Sequence, residues 1–316
     1  MICLGIESTA HTFGVGVVND KKVLVNLKAS YRPKKGGIHP REASDFLALE
    51  GPKLIKEALS KIPRVDLVAF SRSPGIGHSL RVGAVTARTI AQKLKVPLIG
   101  VNHCIAHVEV ARWLTGLNDP VVLYTSGANT QVIAFQGGKY RVFAETLDIG
   151  VGNFIDSFAR YAGIPFPGGP VIEKKALQGK YVELPYVVKG MDVSLTGILT
   201  SLRKKLSSHR LEDLCFSLQE NVFAMLVEVS ERALAHTQKS ELVLTGGVAA
   251  NKRLREMCEV MCKERGAKFK APPMNCCVDN GAMIAHLGLK MHQAGAKSIS
   301  SIDQGERTDE VKVTWR

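Results

Sequence analysis

The feature that most constrains the fold is a pattern that occurs twice. Residues 2–7 (ICLGIE), 13–18 (FGVGVV) and 22–30 (KVLVNLKAS) are short apolar or alternating runs joined by tight polar turns. Residues 121–125 (VVLYT), 131–136 (QVIAFQ) and 140–147 (YRVFAETL) repeat the arrangement, with SGANT and QGGK as turns. Such runs between turn residues predict strands, so each half opens on a three-strand antiparallel meander. Later in each half a strand runs through glycine into a helix, VDLVAFS at 65–71 before RSPGIGHS and ELVLTGGV at 241–248. Strands alternating with helices predict a mixed sheet with covering helices. The whole reads as an α/β chain of two similar lobes facing a central cleft, with glycine-lined strand ends directed into it. The expected division is 1–108 plus about 294–316 for the N-terminal α/β lobe, and 109–293 for the C-terminal α/β lobe.

Helices are expected at 41–60, 80–94, 103–114, 150–162, 170–178, 197–206, 211–237, 251–265 and 279–293, and VKVTW near the end as a last strand. Pro40 opens the first of these, where its missing N–H costs nothing. At 316 residues, 45% hydrophobic and 22% charged, the chain can bury two cores without disulfides. Its seven cysteines form no CxxC pair, which excludes a thiolate zinc framework and a secreted disulfide scaffold. No run approaches a membrane-spanning length, and the N-terminus runs directly into a strand without a leader pattern. A soluble cytoplasmic protein is expected. The net charge of +13 fits an anionic partner, nucleic acid or acidic protein, as well as scattered solvated lysines.

His103-Cys-Ile-Ala-His107 places two imidazoles on one helical face, one turn apart. Such a pair can hold a metal or form a hydrogen-bonded polar face. It lacks the glutamate of HExxH, so a metalloprotease base is missing. Further ligands are expected at element ends: Asp279, otherwise an N-cap, and Tyr124, otherwise core. A His/His/Asp set suits zinc or iron better than magnesium. Ser126-Gly127-Ala128-Asn129-Thr130 and Thr245-Gly246-Gly247 through Asn251 are turns whose backbone N–H groups favour an anion, or are simply tight turns. Neither is a P-loop or a dinucleotide fingerprint. Asp156 and Glu173 stand beside glycine turns, where they can take ribose hydroxyls or face solvent. Glu7, Ser8 and Thr9 end the first strand as inward polar candidates. Arg32, Lys34, Lys35, His39 and Arg41 form one basic cluster, and Arg203, Lys204 and Lys205 another; both suit nucleic-acid phosphates or a solvated surface. No nucleophile–base pair is evident, and Cys104 falls off the histidine face.

GIESTAHT (5–12), KGGIHPREA (35–43), SPGIG (73–77), VNHCIAHVE (101–109), YTSGANTQV (124–132), ETLDIGVGNFID (145–156), FPGGP (166–170), TGGVAANKRLRE (245–256) and DNGAMIA (279–285) occur in this order. Together they resemble the tRNA threonylcarbamoyladenosine synthase family, in its archaeal and eukaryotic KEOPS branch, once called glycoproteases. The resemblance covers essentially the whole chain. It implies the two-lobed fold of the actin/hexokinase/heat-shock-70 superfamily. It implies transfer of a threonylcarbamoyl group from threonylcarbamoyl-AMP to N6 of adenosine 37, in tRNAs reading codons that start with A. It implies one iron or zinc per chain held by His103, His107, Asp279 and Tyr124, and an adenine nucleotide (ATP or AMP also occupying the site) over Tyr124, Thr125, Ser126, Gly127, Ala128 and Asn129. Asp156, Gly169, Glu173 and Asn251 would surround that nucleotide. Arg32, Lys34, Lys35 and Arg41 would contact tRNA. The implied partners are a small protein kinase, a small dimerising subunit and a further small subunit; the chain ends at Arg316, so the kinase is expected as a separate protein. Departures are Ala128, where a glycine is commoner, and Ser71-Arg-Ser-Pro with His78 around the SPGIG turn. The rival readings are a small-molecule kinase of the same superfamily and a non-catalytic nucleotide-binding scaffold.

Overall fold

The computed structural model of the chain describes residues 1–33, 38–303 and 305–316. They divide into two compact units: Met1–Trp113 with Gly137–Tyr140 and Asp279–Arg316, and Leu114–Gln136 with Arg141–Val278. The first opens with β1 (Cys3–Glu7), β2 (Thr12–Val18) and β3 (Val23–Ser30), followed by α1 (Pro40–Ser60), β4 (Leu67–Ser73), α2 (Gly77–Leu94), β5 (Leu98–Asn102) and α3 (His103–Thr115). The second opens with β6 (Val121–Thr125), β7 (Thr130–Gln136) and β8 (Lys139–Glu145), then α4 (Val151–Tyr161), α5 (Gly169–Ala176), the short β9 (Val188–Lys189) and β10 (Asp192–Val193), and α6 (Thr196–Lys205). It continues with α7 (Leu211–Thr237), β11 (Glu241–Thr245), α8 (Lys252–Glu264), β12 (Lys268–Lys270) and α9 (Met274–Cys277). The chain then returns to the first unit with α10 (Gly281–Gln293).

The repeated sequence pattern is a repeated topology. One sheet has the order β3-β2-β1-β4-β5 and the other β8-β7-β6-β11-β12. In each, the opening strand lies antiparallel to its meander neighbour and parallel to the later strand: β1 to β2 and β4, β6 to β7 and β11. Both opening strands are buried along their length, which is why they read as apolar runs rather than strict alternations. The cores are separate. Leu4, Ile6, Phe13, Val15 and Phe70 anchor the first, and Leu123, Phe154, Phe158 and Phe223 the second. The long helix α7 is a core element of the second unit, burying Leu214, Leu218, Val222, Leu226 and Leu234.

The first unit depends on an unusually close approach of α10 to β1 and β2. A Cβ on Gly5 would meet the backbone N of Ala285 at 2.3 Å, and one on Gly16 would meet the backbone N of Ala282 at 2.0 Å. A Cβ on Gly281 would meet the backbone N of Gly16 at 2.0 Å. Helix and strands therefore touch backbone to backbone. This places all of α10 in the first unit rather than in a 109–293 lobe, and residues 109–113 of α3 belong there as well. The expected last strand at VKVTW is reduced to a bridge, Lys139 with Lys312, and one hydrogen bond from Val313 N to Gly138 O of 3.1 Å. Among the described residues, no helix is long and apolar enough to cross a membrane.

Gly16→Ala should lower stability by about 3 kcal/mol, because neither backbone can yield to the new methyl group. Gly197→Ala, in α6 with nothing within 4 Å of the added Cβ, should instead raise stability by about 0.5 kcal/mol. Paired thermal melts of the two variants check the assignment.

Candidate metal centre and nucleotide-binding turns

The histidine helix starts where the sequence needs it to start. β5 ends at Asn102, whose side-chain oxygen accepts the Ile105 N–H at 3.1 Å and caps α3. His103 and His107 then fall on successive turns, both buried, with ring centroids 4.7 Å apart and planes at 81°. Their Nε2 atoms point at one oxygen, Asp279 Oδ1, at 3.5 Å from His103 and 3.2 Å from His107. All three residues belong to the first unit, and their ligand atoms lie within 4.8 Å of one another. Asp279 is not the helix cap. Asn280 takes that role, its side chain accepting from Met283 N at 3.0 Å, so the Asp279 carboxylate faces the histidines.

Glu7, at the end of β1, completes the arrangement from behind. It is fully buried, and its Oε2 lies 2.9 Å from His103 Nδ1. Its other oxygen accepts the Thr9 N–H at 2.7 Å and the Thr9 hydroxyl. The turn that carries these groups is fixed by Ile76 N donating to Thr9 O at 2.7 Å and the Ser79 hydroxyl donating to Ala10 O at 2.6 Å. With Nδ1–H given to Glu7, Nε2 is the nitrogen of His103 that can take a cation in place of a proton. Burial alone would pull the His103 pKa down; Glu7 first and then Asp279 outweigh it and push it up to about 9. His107 goes the other way, lowered by burial and by the neighbouring His103 charge despite its bond to Asp279. Burial works against the Asp279 carboxylate, yet the two histidines hold it well below the usual carboxylate range. Two imidazoles and a carboxylate with their ligand atoms this close could hold a metal ion, and such a donor set suits zinc or non-haem iron.

Sequence reasoning missed Glu109, a buried carboxylate two residues beyond His107. It accepts from the Tyr140 hydroxyl, from Trp315 Nε1 at 3.0 Å and from Arg112 Nη2 at 2.8 Å. It thereby ties the histidine helix to the 137–140 hairpin and the C-terminal tail. An acid inside the apolar run VEVARWL was the available signal.

The second unit gathers the glycine turns at the carboxyl ends of adjacent parallel strands, the usual ligand position in α/β sheets. Tyr124 and Thr125 end β6, and Thr245 ends β11 in register with Tyr124. The Thr125 hydroxyl donates to Thr245 O at 3.1 Å. Gly246 has φ +95°, and a Cβ there would meet Thr125 O at 2.3 Å, so only glycine fits. Ser126 closes its own turn by accepting Asn129 N at 3.0 Å. The N-terminus of α4 docks on that turn, Gly152 N to Ser126 O at 3.1 Å and Asn153 N to Gly127 O at 2.9 Å. Those two amides are therefore committed within the fold. Ala128 stands against Gly150, whose added Cβ would meet the Ala128 carbonyl at 2.5 Å.

The remaining candidates of this unit knit its segments together. Asp156 accepts Gly168 N at 2.8 Å, one residue before Gly169 opens α5. Glu173 accepts Lys252 N at 2.8 Å. Asn251 caps α8 through Leu254 N at 3.1 Å and donates to Gln219 at 2.6 Å. Tyr124 is buried and lies in the second unit, whereas the other three expected metal ligands lie in the first. Arg32 and Arg41 are exposed; Lys34 and Lys35 fall outside the described residues.

A profile of the family described as tRNA N6-adenosine threonylcarbamoyltransferase matches residues 22–286. A protein of that name from Thermococcus kodakarensis is 55% identical over 325 residues, covering 100% of both chains. A Methanocaldococcus jannaschii protein, named a probable bifunctional tRNA threonylcarbamoyladenosine biosynthesis protein, is 55% identical over 100% of this chain and 60% of its own length. Among solved structures, HypF of Thermococcus kodakarensis superposes with TM-score 0.62 at 15% identity, covering 91% of this chain and 47% of that one. A glucokinase of the ROK family from Streptomyces griseus gives 0.53 at 13% identity, covering 92% and 100%. These structural likenesses establish an actin/hexokinase-like fold.

Glu7→Gln should weaken Zn²⁺ binding by roughly 10- to 100-fold, the usual cost of losing a carboxylate behind a histidine ligand. Competition against a chromogenic chelator reads this directly, and an unchanged affinity would reduce Glu7 to a structural role. A second expectation concerns acid stability. Asp148 accepts from Leu195 N, Thr196 N and the Ser194 hydroxyl. Burial opposes its charge, but the Leu195 and Thr196 amides outweigh that and lower its pKa to about 2. A folded pKa below the unfolded one gives stability that is full above about pH 4 and lost as pH falls towards 2. Asp148→Asn should cost about 1 kcal/mol at pH 7, allowing for solvent screening, and flatten that acid limb in pH-dependent melts.

Proposed function

The chain belongs to the tRNA N6-adenosine threonylcarbamoyltransferase family, and from that membership we propose how its two units carry the reaction. The enzyme is an acyltransferase that modifies tRNA. Its donor is threonylcarbamoyl-AMP and its target is N6 of adenosine 37 in tRNAs reading codons that start with A. The N6 amine attacks the carbamoyl carbon, the bond from that carbon to the phosphate oxygen breaks, AMP leaves with the electron pair, and the amine proton is lost. No side chain needs to become acylated, in keeping with the lack of a nucleophile–base pair in the sequence.

His103, His107 and Asp279 of the first unit would hold the family's iron or zinc, with Tyr124 as a further or nucleotide-dependent ligand. When bound, such a metal supplies Lewis-acid stabilisation, either at the carbamoyl carbonyl or at the adenylate phosphate. Glu7 keeps the His103 tautomer and ring orientation that this requires. In the second unit, Tyr124–Asn129 would lie along the adenylate, with Asp156, Gly169, Glu173 and Asn251 around its ribose, base and phosphate. Arg32 and Arg41, with Lys34 and Lys35, would take tRNA phosphates. The partners would be a small kinase, a dimerising subunit and a further small subunit of a KEOPS-type complex, in the cytoplasm. The observation that carries the reading is the convergence of both Nε2 atoms on Asp279 in a chain that matches such transferases along its full length.

The test is transfer of labelled threonine to unmodified tRNA, with a threonylcarbamoyl-adenylate-generating enzyme and the partner subunits present. Wild-type chain should label adenosine 37, and His103→Ala should abolish labelling. Retained AMP binding in that variant places the metal's action at the carbonyl, and lost AMP binding places it at the phosphate. Label that persists in His103→Ala would remove the histidines from the chemistry. No label with folded wild type and verified partners would overturn the reaction itself.

A further inference from the structure

Arg160 and Tyr161 end α4, and Arg203 lies in the last turn of α6. They are far apart in sequence, yet the fold sets both guanidinium groups against one ring. Arg203 Cζ lies 4.8 Å from the Tyr161 centroid and Arg160 Cζ 5.9 Å. All three side chains are exposed, Tyr161 at 41%. Several cations of the second unit are paired, among them Lys175 with Glu212, Arg232 with Glu228, Lys239 with Asp119, Arg253 with Glu220 and Arg265 with Glu231. Arg160 and Arg203 make no such ion pair among the described residues. Lys204, also exposed, adds a third positive charge in the same turn.

Two like charges on one ring repel each other, and the ring face offsets that repulsion only in part. An incoming anion would neutralise them. The planar guanidinium fork matches phosphate oxygens, and an exposed aromatic ring beside it offers a stacking surface for an unpaired base. Two guanidinium groups beside one exposed ring fit RNA better than an acidic polypeptide, which would use the charges and leave the ring idle. The position also fits. Arg160 is one turn beyond Asp156, and the patch lies about 15 Å along α4 from the turn at 126–129.

We propose that Arg160, Tyr161 and Arg203 form an RNA-binding surface of the second unit, holding backbone phosphates and an unpaired base of the substrate. It is distinct from the Arg32/Arg41 cluster of the first unit, and it rests on the tRNA-transferase reading above. The test is binding of an unmodified tRNA transcript to the full chain, followed by fluorescence anisotropy over a KCl titration. The variants are the Arg160→Ala/Arg203→Ala double, Tyr161→Ala and Tyr161→Phe. The double variant should bind about tenfold more weakly near 0.1 M salt, and its log–log salt slope should shrink by about 1.5, the loss of two phosphate contacts. Tyr161→Ala should lose about tenfold and Tyr161→Phe little, because stacking needs the ring and not the hydroxyl. AMP affinity should stay at the wild-type value in all three, showing an intact second unit. Wild-type affinity and slope in the double variant would overturn the proposal while leaving the transferase reading standing. Loss of poly-glutamate binding without loss of tRNA binding would overturn it in favour of an acidic protein surface. Wild-type chain that binds no tRNA would overturn both.

Discussion

Everything in the first unit depends on how closely α10 lies against β1 and β2. The contact is made by glycines on both sides, Gly5, Gly14 and Gly16 on the strands and Gly281 on the helix. Its consequence is positional. Gly14 is the register partner of Glu7, and a Cβ on Gly14 would meet the backbone of Asn280 at 3.2 Å or less. The start of α10 is thus seated beside the end of β1, and Asp279, just before its N-cap, is brought to His107 and to His103, which Glu7 holds from the other side. A seam wider by one methyl group would move Asp279 away from His103 without touching any ligand. Backbone packing, rather than ligand chemistry, sets the geometry of this site.

The electrostatics follow from that geometry. Glu7 and Glu109 are both fully buried acids, and a buried carboxylate without partners costs several kcal/mol. Each is answered locally: Glu7 by the Thr9 amide, the Thr9 hydroxyl and His103, and Glu109 by Arg112, Tyr140 and Trp315. The two acids grip α3 at its first residue and again in its second turn, so the helix has little freedom to slide or rotate. Between Glu7 and Asp279 the protein favours positive charge, and this is why the His103 pKa is pushed up to about 9 although burial opposes the charge. Two carboxylates fixed on opposite sides of one imidazole make the same point attractive to a divalent cation, which can replace that proton.

How much of this was legible in the sequence varied with the range of the interaction. The meanders, the glycine-ended strands and the HxxxH helix are local patterns, and each appears where the residues placed it. Asp279 was legible as a ligand candidate, but its capping role belongs to Asn280; the two adjacent residues both cap well, and only the register of α10 against β2 decides between them. The lobe boundary was misread because the seam joins residues near position 5 to residues near 281, with no periodicity linking them. The tail around VKVTW had the composition of a strand but makes only one bridge to the 137–140 hairpin and side-chain contacts such as Trp315 with Glu109. Arg160 and Arg203 carried no joint signal at all, since their meeting on Tyr161 depends on how α4 and α6 pack.

The repeated sheet shows where topology stops and chemistry begins. Both units place the end of their opening strand at the same topological position, beside a parallel strand that itself ends in a turn. In the first unit that strand end is Glu7-Ser8-Thr9, and its polar atoms turn inward to hold a histidine. In the second it is Thr125 followed by Ser126–Asn129, and the side chains close a glycine turn upon itself. One strand end presents a buried anion, and the other presents backbone with no charged side chain. A fold built twice can therefore present two strand ends of different electrostatic character, one anionic and one lined by backbone dipoles. The difference comes from a handful of residues and leaves the strand order unchanged.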